Sequence, residues 1–291
     1  MVQDRTLGSR LFGAVNFTLL TVIALVTVLP FLHVLAGSFT TSAEMAVNKF
    51  VLFPKEWSFE AYRFVFSTNT IFRAMAVSIG ITVLGTLFSM LVTAMMAYGL
   101  ARKDLDGRKI VMFLVVFTML FQGGLIPTFL VVKELGLIDK YAALVLPLAI
   151  SAFNMIILRN FFQNIPDGLE ESAKIDGCND FGIFFRIVLP LSMPAIATIS
   201  LFYAVTYWNT YLSAILYLND SKMWPIQVLL RQIVVLASGF DYSPSLDGVV
   251  PPPDQAVKMA VIVVATVPIL AVYPFLQKHF AKGALIGSIK G

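Results

Sequence analysis

Residues 164–190 read NIPDGLEESAKIDGCNDFGIFFRIVLP, a polar-flanked island between two long hydrophobic stretches. Asp167 stands where a helix N-cap is wanted, and Glu170 three positions on completes a D-x-x-E capping pattern, so a helix is predicted to open there. Gly177 supplies the left-handed residue that ends such a helix. Asn179 or Asp180 then caps a second, more apolar helix over 181–188, which Pro190 hands to the next hydrophobic stretch. The island is therefore predicted as helix, glycine bend, helix.

The surrounding chain is far from a soluble composition. Of 291 residues, 58% are hydrophobic and 13% charged, and the mean hydropathy is +0.84. That balance excludes an ordinary soluble domain and specifies an all-α membrane protein that crosses the bilayer more than once. A first uncharged run over 14–36 is too long for a signal-peptide core and is read as a retained span. Uncharged or nearly uncharged runs follow at about 74–101, 110–132, 141–158, 190–218 and 256–277, for six transmembrane helices in one domain, 1–291.

Lysine and arginine set the orientation. The short 102–109 connection holds Arg102, Lys103, Arg108 and Lys109, and short loops obey the positive-inside rule best. With Arg5, Arg10, Arg159, Lys174, Arg186, Lys278, Lys282 and Lys290 on the same side, both termini and the 164–190 island are expected in the cytoplasm. The net charge of +4 follows from this bias and does not imply nucleic acid.

Within the spans, polar and small residues are few and placed. Gly85, Ser89, Thr93 and Ala97 recur every fourth residue, a small stripe that lets another helix come close. Gln122, Gly123, Gly124 and Pro127 interrupt the third span, where broken backbone is tolerated only against protein or water. Asn154 is the notable polar residue of the fourth. In the fifth, Tyr203, Tyr207 and Tyr211 repeat at i, i+4 and i+8 with Trp208 and Asn209 beside them. Rings with polar tips suit a sugar, so Gln122, Asn154, Tyr203, Tyr207, Trp208, Asn209 and Tyr211 are the substrate-path candidates. A tyrosine stripe whose hydroxyls are satisfied by neighbouring helices fits the same spacing.

Two outer loops are expected, about 37–73 with Pro54, Trp57, Phe59 and Tyr62, and about 219–255 with a short helix near 227–236 and the run Pro251, Pro252, Pro253. The chain contains no G-x-x-x-x-G-K-[ST] phosphate loop, and two histidines with one cysteine offer no metal cluster or disulfide. No catalytic group is expected, and energy for any transport must come from another chain.

Glu171, Ser172 and Ala173, then Gly177, then Ile187, Leu189 and Pro190 reproduce E-A-A-x3-G-x9-I-x-L-P, with Ser172 in place of the first alanine. This resembles the cytoplasmic coupling loop of ABC importer permeases. YGLAR at 98–102, the Trp208-Asn209 pair and the tail QKHFAKGALIGSIKG at 277–291 resemble the carbohydrate-uptake group, typified by the smaller maltose-importer permease. FQGGLIPTFLVVKELGLID, LRNFFQNIPDGLEESAKIDG and LFYAVTYWN are most similar to the oligosaccharide and polysaccharide branch, alginate importers included. The resemblance covers about 12–291.

What it implies is a non-catalytic subunit in a bacterial cytoplasmic (inner) membrane. Its partners would be a second homologous permease, two ATPase subunits holding Mg-ATP, an external solute-binding protein and a carbohydrate substrate. Leu169, Glu170, Glu171, Ser172, Ala173, Asp176 and Gly177 would form the ATPase-coupling surface. Glu171 would make a charge-assisted contact, Ala173 and Gly177 would allow close approach, and Leu169 would fill an apolar recess. A permease for another polar solute, such as a phosphorylated polyol or a peptide, and a non-transporting scaffold remain open beside this reading.

Overall fold

A backbone in hydrocarbon must satisfy its own hydrogen bonds, and this chain does so with helices. The computed structural model describes residues 6–67, 69–121, 123–236 and 255–287. In order, the helices are α1 Leu7–Ser38, α2 Ser42–Val47, α3 Glu60–Ser67, α4 Asn69–Ala101, α5 Arg108–Leu120, α6 Leu125–Glu134, α7 Ala142–Val145 and α8 Ala152–Phe162. They continue as α9 Asp167–Ile175, α10 Asp180–Ile183, α11 Leu189–Leu191, α12 Met193–Trp208, α13 Leu212–Tyr217, α14 Ile226–Leu236 and α15 Gln255–Gly287. Among the described residues, the extended pairing is a single bridge, Thr40 with Trp57.

Among the described residues three helices, α1, α4 and α15 over Gln255–Val272, are long and apolar enough to cross a membrane alone. Three further pairs, α5 with α6, α7 with α8, and the 180–191 segment with α12, would bring the number to 6 if each bent pair is one span. The breaks have local causes. Between α5 and α6, Gly124 takes a left-handed φ of 84° and Pro127 follows within the next turn. The predicted interruption of the third span is thus observed, while Gln122 itself lies outside the described residues.

The chain divides into two compact units, Met1–Asn69 with Leu230–Thr266, and Thr70–Leu229 with Val267–Gly291. In the first, α1 opens on a Thr6 cap and exposes Leu, Val, Ile and Phe side chains along most of its length. Such a surface is compatible with lipid or another apolar helix. At its far end Phe39 gathers Trp57, Phe59 and Tyr62 at ring distances of 5.8, 5.6 and 4.9 Å. The Tyr62 hydroxyl meets Ser38 at 2.8 Å. The aromatics expected in the outer loop therefore pack on one another around the helix end.

The second unit is built on α4. Gly85, Ser89, Thr93 and Ala97 are all buried, whereas Val83, Leu84, Leu87, Phe88 and Leu91 on the other face are exposed. The core joins this stripe to Met155, Leu158 and Phe162 of α8 and to Ile199, Tyr203 and Tyr207 of α12. Because hydrocarbon is as apolar as leucine, close van der Waals fit and polar contacts hold such helices together, more than escape from water. A Cβ on Gly85 would come within 2.9 Å of the Tyr207 ring, so glycine is what admits that ring. At one end of this unit Ser78 Oγ accepts the Ile226 N–H of α14 at 2.8 Å. The short helix expected near 227–236 is α14.

Candidate functional site

The 164–190 island folds as helix, bend and helix, with one change at its start. The cap position of α9 falls on Pro166 and carries no side-chain bond, so Asp167 is the first helical residue and not the N-cap. Its carboxylate is drawn to Lys103 Nζ at 2.5 Å instead. An acid in a first helical turn still complements the helix dipole. The far end matches expectation. Gly177, at φ 82°, donates to Lys174 O at 3.0 Å, and the Cys178 N–H reaches back to Ala173 O at 2.9 Å. These two bonds are the Schellman closure that needs a left-handed residue.

Asn179 then caps α10 by accepting the Gly182 N–H at 2.8 Å. From α10 the helix widens into a π turn over Phe184–Val188 and continues through α11. Pro190 has no N–H to return to the preceding turn, which favours a local departure from α geometry. At Ser192 the chain turns by 84° into α12, with Pro190 and Pro194 on either side.

The island has two faces. Ala173, Ile183, Phe184 and Val188 are buried in the chain's own core beside Tyr98 and Phe162. Leu169, Glu171, Ser172, Asp176 and Gly177 are exposed, and Ile175 is 86% exposed. Glu170 lies between the faces, and burial pushes its carboxyl above the ordinary range against the attraction of Arg102 and Lys174. Ala173 is packed within this chain's own core. An isoleucine bare on a polar helix was not singled out in the sequence, although its place between Lys174 and Asp176 marks it.

The end of α4 is tied to this island. Arg102 holds Asp104 with two bonds, Nε to Oδ1 at 2.9 Å and Nη2 to Oδ2 at 2.6 Å, and its Nη1 donates to Asp180 at the start of α10. Its partners favour the charged guanidinium and raise its pKa, and the same contact holds the Asp104 carboxyl down at about 2. Orphan carbonyls at this helix end are taken by side chains. Arg159 Nε donates to Leu100 O at 3.0 Å, Gln163 Nε2 to Ala101 O at 3.4 Å, and Arg108 Nη1 to Arg102 O at 3.1 Å. Two clefts flank the junction. One of about 350 Å³ is lined by Met95, Tyr98, Arg102, Asp180 and Phe181, and one of about 250 Å³ by Lys103, Asp167, Glu170, Glu171 and Lys174. Among the described residues there is no group suited to a metal ion.

The substrate-path residues do not form one open face. Tyr203 and Tyr207 are buried, with hydroxyls 2.6 Å from Thr93 Oγ1 and Ser89 Oγ respectively. Tyr203 Oη also accepts the Ser151 N–H at 2.9 Å, and Tyr207 donates to Val145 O at 3.3 Å. Trp208 and Asn154 are buried as well. Asn209 is exposed and donates its amide to Val205 O at 2.8 Å. Tyr211 lies beyond the end of α12, where φ is −133°, so i+8 no longer measures helical turns. The tyrosine spacing marks the packing side of α12, because small residues on α4 leave room for the rings and carry hydroxyls that bind their tips.

Long apolar helices, bent helix pairs and a polar loop packed between two of them are the build of a membrane protein. Residues 107–285 match the family of binding-protein-dependent transport system inner membrane components. The polygalacturonan/rhamnogalacturonan transport system permease protein YtcP of Bacillus subtilis is 66% identical over 285 residues, covering 97% of this chain and 99% of that protein. The arabinooligosaccharides transport system permease protein AraQ of the same organism is 30% identical over 279 residues, 92% of each chain. In the crystal structure of a bacterial ABC transporter involved in the import of the acidic polysaccharide alginate, one chain superposes with a TM-score of 0.88 at 32% identity, covering 96% of this chain and 100% of that one. The chain belongs to the binding-protein-dependent inner membrane permease family and is a permease of the ABC carbohydrate importers.

Proposed function

We propose that the chain forms half of the path of an ATP-driven importer for acidic oligosaccharides or polysaccharides, with residues 164–190 as the cytoplasmic segment on which an ATPase docks. In this reading 1–291 is one transmembrane domain of six spans, each bent pair crossing once. Both termini and the 164–190 loop face the cytoplasm, as Arg102, Lys103, Arg108 and Lys109 favour. A second homologous permease completes the path, two ATPase subunits hold Mg-ATP, and an external binding protein delivers the substrate. This chain supplies no catalytic group.

The observation that carries the docking assignment is the exposed side of α9. Ile175 stands bare one turn from Glu171, and Leu169 is partly exposed at the edge of the packed side beside Ala173. Covering such an isoleucine is worth roughly 1.5–3 kcal/mol, and a cation opposite Glu171 would add a charge-assisted bond. Ser172 and Asp176 complete the surface, while Gly177 shapes it and Ala173 anchors it. The substrate class is supported by the relative named for polygalacturonan/rhamnogalacturonan and the solved importer of alginate. Galacturonan and alginate share a carboxylated sugar backbone. Asn209 and Tyr211 are the residues of the tyrosine segment to which we assign sugar contact, with Tyr203 and Tyr207 holding the wall behind them.

The test is uptake into vesicles by the complete complex, offered trigalacturonate, an alginate trimer or maltotriose. Acidic sugars are expected to enter and to stimulate ATP hydrolysis. Glu171→Lys and Ile175→Asp should each abolish uptake and weaken ATPase retention. Wild-type uptake in both variants would reject the docking surface; equal uptake of maltotriose would reject the acidic substrate.

A further inference from the structure

The island has two physical routes into the bundle. One is the chain itself, through the π turn at Phe184–Val188 and the 84° corner at Ser192 between two prolines. That corner turns the chain by 84°, so a push along α10 is not directed along α12. The other route is made of side chains. Lys103 grips Asp167 at the start of α9, and Arg102 grips Asp180 at the start of α10, so both helices of the island are fastened to adjacent residues at one end of α4.

We infer that Arg102, seconded by Lys103, is the positioning residue through which movement of the 164–190 island is carried to α4, and along α4 to the tyrosine seam. The inference rests on the island being the ATPase-docking segment. Three observations support it. The Arg102 side chain is only 18% exposed while Asp180 is 59% exposed, so the guanidinium is held by its surroundings and the acid comes to it. The carbonyls of Leu100, Ala101 and Arg102 are each held by Arg159, Gln163 or Arg108, which stiffens the helix end that receives the pull. Farther along the same uninterrupted helix, Thr93 and Ser89 bind Tyr203 and Tyr207 of α12. Displacement of α4 therefore reaches α12 beyond its corner, bypassing the bend.

Asp180 lies at the surface, where an ion pair commonly contributes between zero and about 1 kcal/mol, and Arg102 keeps Asp104 as a partner when Asp180 is neutralised. The clamp is thus separable from a structural role, since breaking it should alter coupling and leave the fold intact. Asp180→Asn removes the cross-element pair and keeps Arg102 with Asp104; Asp104→Asn does the reverse. In the complete complex supplied with trigalacturonate, Asp180→Asn is expected to assemble at wild-type yield and Tm. Its uptake per ATP hydrolysed should fall about threefold or more. Asp104→Asn should keep the wild-type ratio.

A second variant tests the link directly. In a Cys178→Ser background, Arg102→Cys with Asp180→Cys, bridged by a bis-methanethiosulfonate about as long as the lost ion pair, should regain coupled uptake and lose it again on reduction. An unchanged ratio in Asp180→Asn overturns the inference, as does a bridge that stops uptake, since α10 and the end of α4 would then have to part during the cycle. A wild-type complex whose hydrolysis ignores trigalacturonate, the alginate trimer and every other loaded solute would overturn the docking assignment and the clamp with it.

Discussion

The hydroxyls of Ser89 and Tyr207 lie 2.6 Å apart, buried between α4 and α12. The Tyr207 hydroxyl also lies 3.3 Å from Val145 O, and donation to that carbonyl goes with donation from Ser89 to the phenolic oxygen. One oxygen atom therefore joins α4, α12 and the end of α7. In a membrane interior such bonds average about 0.6 kcal/mol and reach about 1.7, so the seam is modest in energy and specific in geometry.

Tyr207→Phe should consequently behave as a packing mutant. Loss of about 0.6–1.7 kcal/mol is expected, read as a lower Tm of the purified complex, with the apparent affinity for trigalacturonate unchanged. Adding Ser89→Ala should cost less than it does beside Tyr207, because the tyrosine partner is already gone and Ser89 has turned to its own helix carbonyls. A variant with wild-type Tm and altered substrate affinity would return Tyr207 to the path.

Gly85 is the steric partner of the same ring. A methyl group there would sit 2.9 Å from one ring carbon and 3.0 Å from two others. Gly85→Ala is expected to cost about 1–3 kcal/mol as an overpacked seam. Tyr207→Phe keeps the clashing ring atoms and should give no relief, whereas Tyr207→Leu should relieve Gly85→Ala in a double-mutant cycle.

Gly177 tests backbone alone. Its φ of 82° disfavours a side chain, yet a Cβ there would meet nothing within 4 Å. Gly177→Asn should cost well under about 1 kcal/mol, since asparagine visits this region, and Gly177→Val should exceed about 1–2 kcal/mol. Limited proteolysis across 175–180 would separate them. Equal resistance would mean that the bend does not depend on the left-handed residue.

Glu170 should make stability fall with rising pH. Its carboxyl titrates above the ordinary 4.5, chiefly through burial, so the fold favours its protonated form. That contribution is fully present below pH 4.5 and is lost as pH rises through the raised value. Glu170→Gln is expected to flatten this part of the Tm–pH curve and to be at least as stable as wild type at neutral pH. A steeper fall in the variant would contradict the assignment.

Much of this was legible because periodicity and caps are local. The small stripe of α4, the Asn179 cap, the Gly177 bend and the break before Pro127 all lie within a few residues of their causes. The direction in which a face looks is set by distant partners. Nothing between Tyr203 and Tyr211 announces Ser89 or Thr93, which lie 118 and 110 residues away from the tyrosines they meet. Arg102 stood in the sequence as an orientation signal, and its bond to Asp180 spans 78 positions. Asp167 looked like a cap because the rule that finds caps does not see Lys103, a residue on another helix end.

The separation of Ser89 from Tyr207 also sets an order in time. A ribosome adding about 5–20 residues per second needs on the order of ten seconds to make the 118 residues between them. During that interval α4 can already lie in the bilayer with the hydroxyls of Ser89 and Thr93 turned back on its own carbonyls, as serine and threonine do in helices. Arrival of α12 must then exchange those local bonds for tyrosine. Assembly of this bundle includes a waiting period in which its central helix is inserted but not yet recognised by its partner, and during which its bare small-residue face is open to any other helix in the membrane.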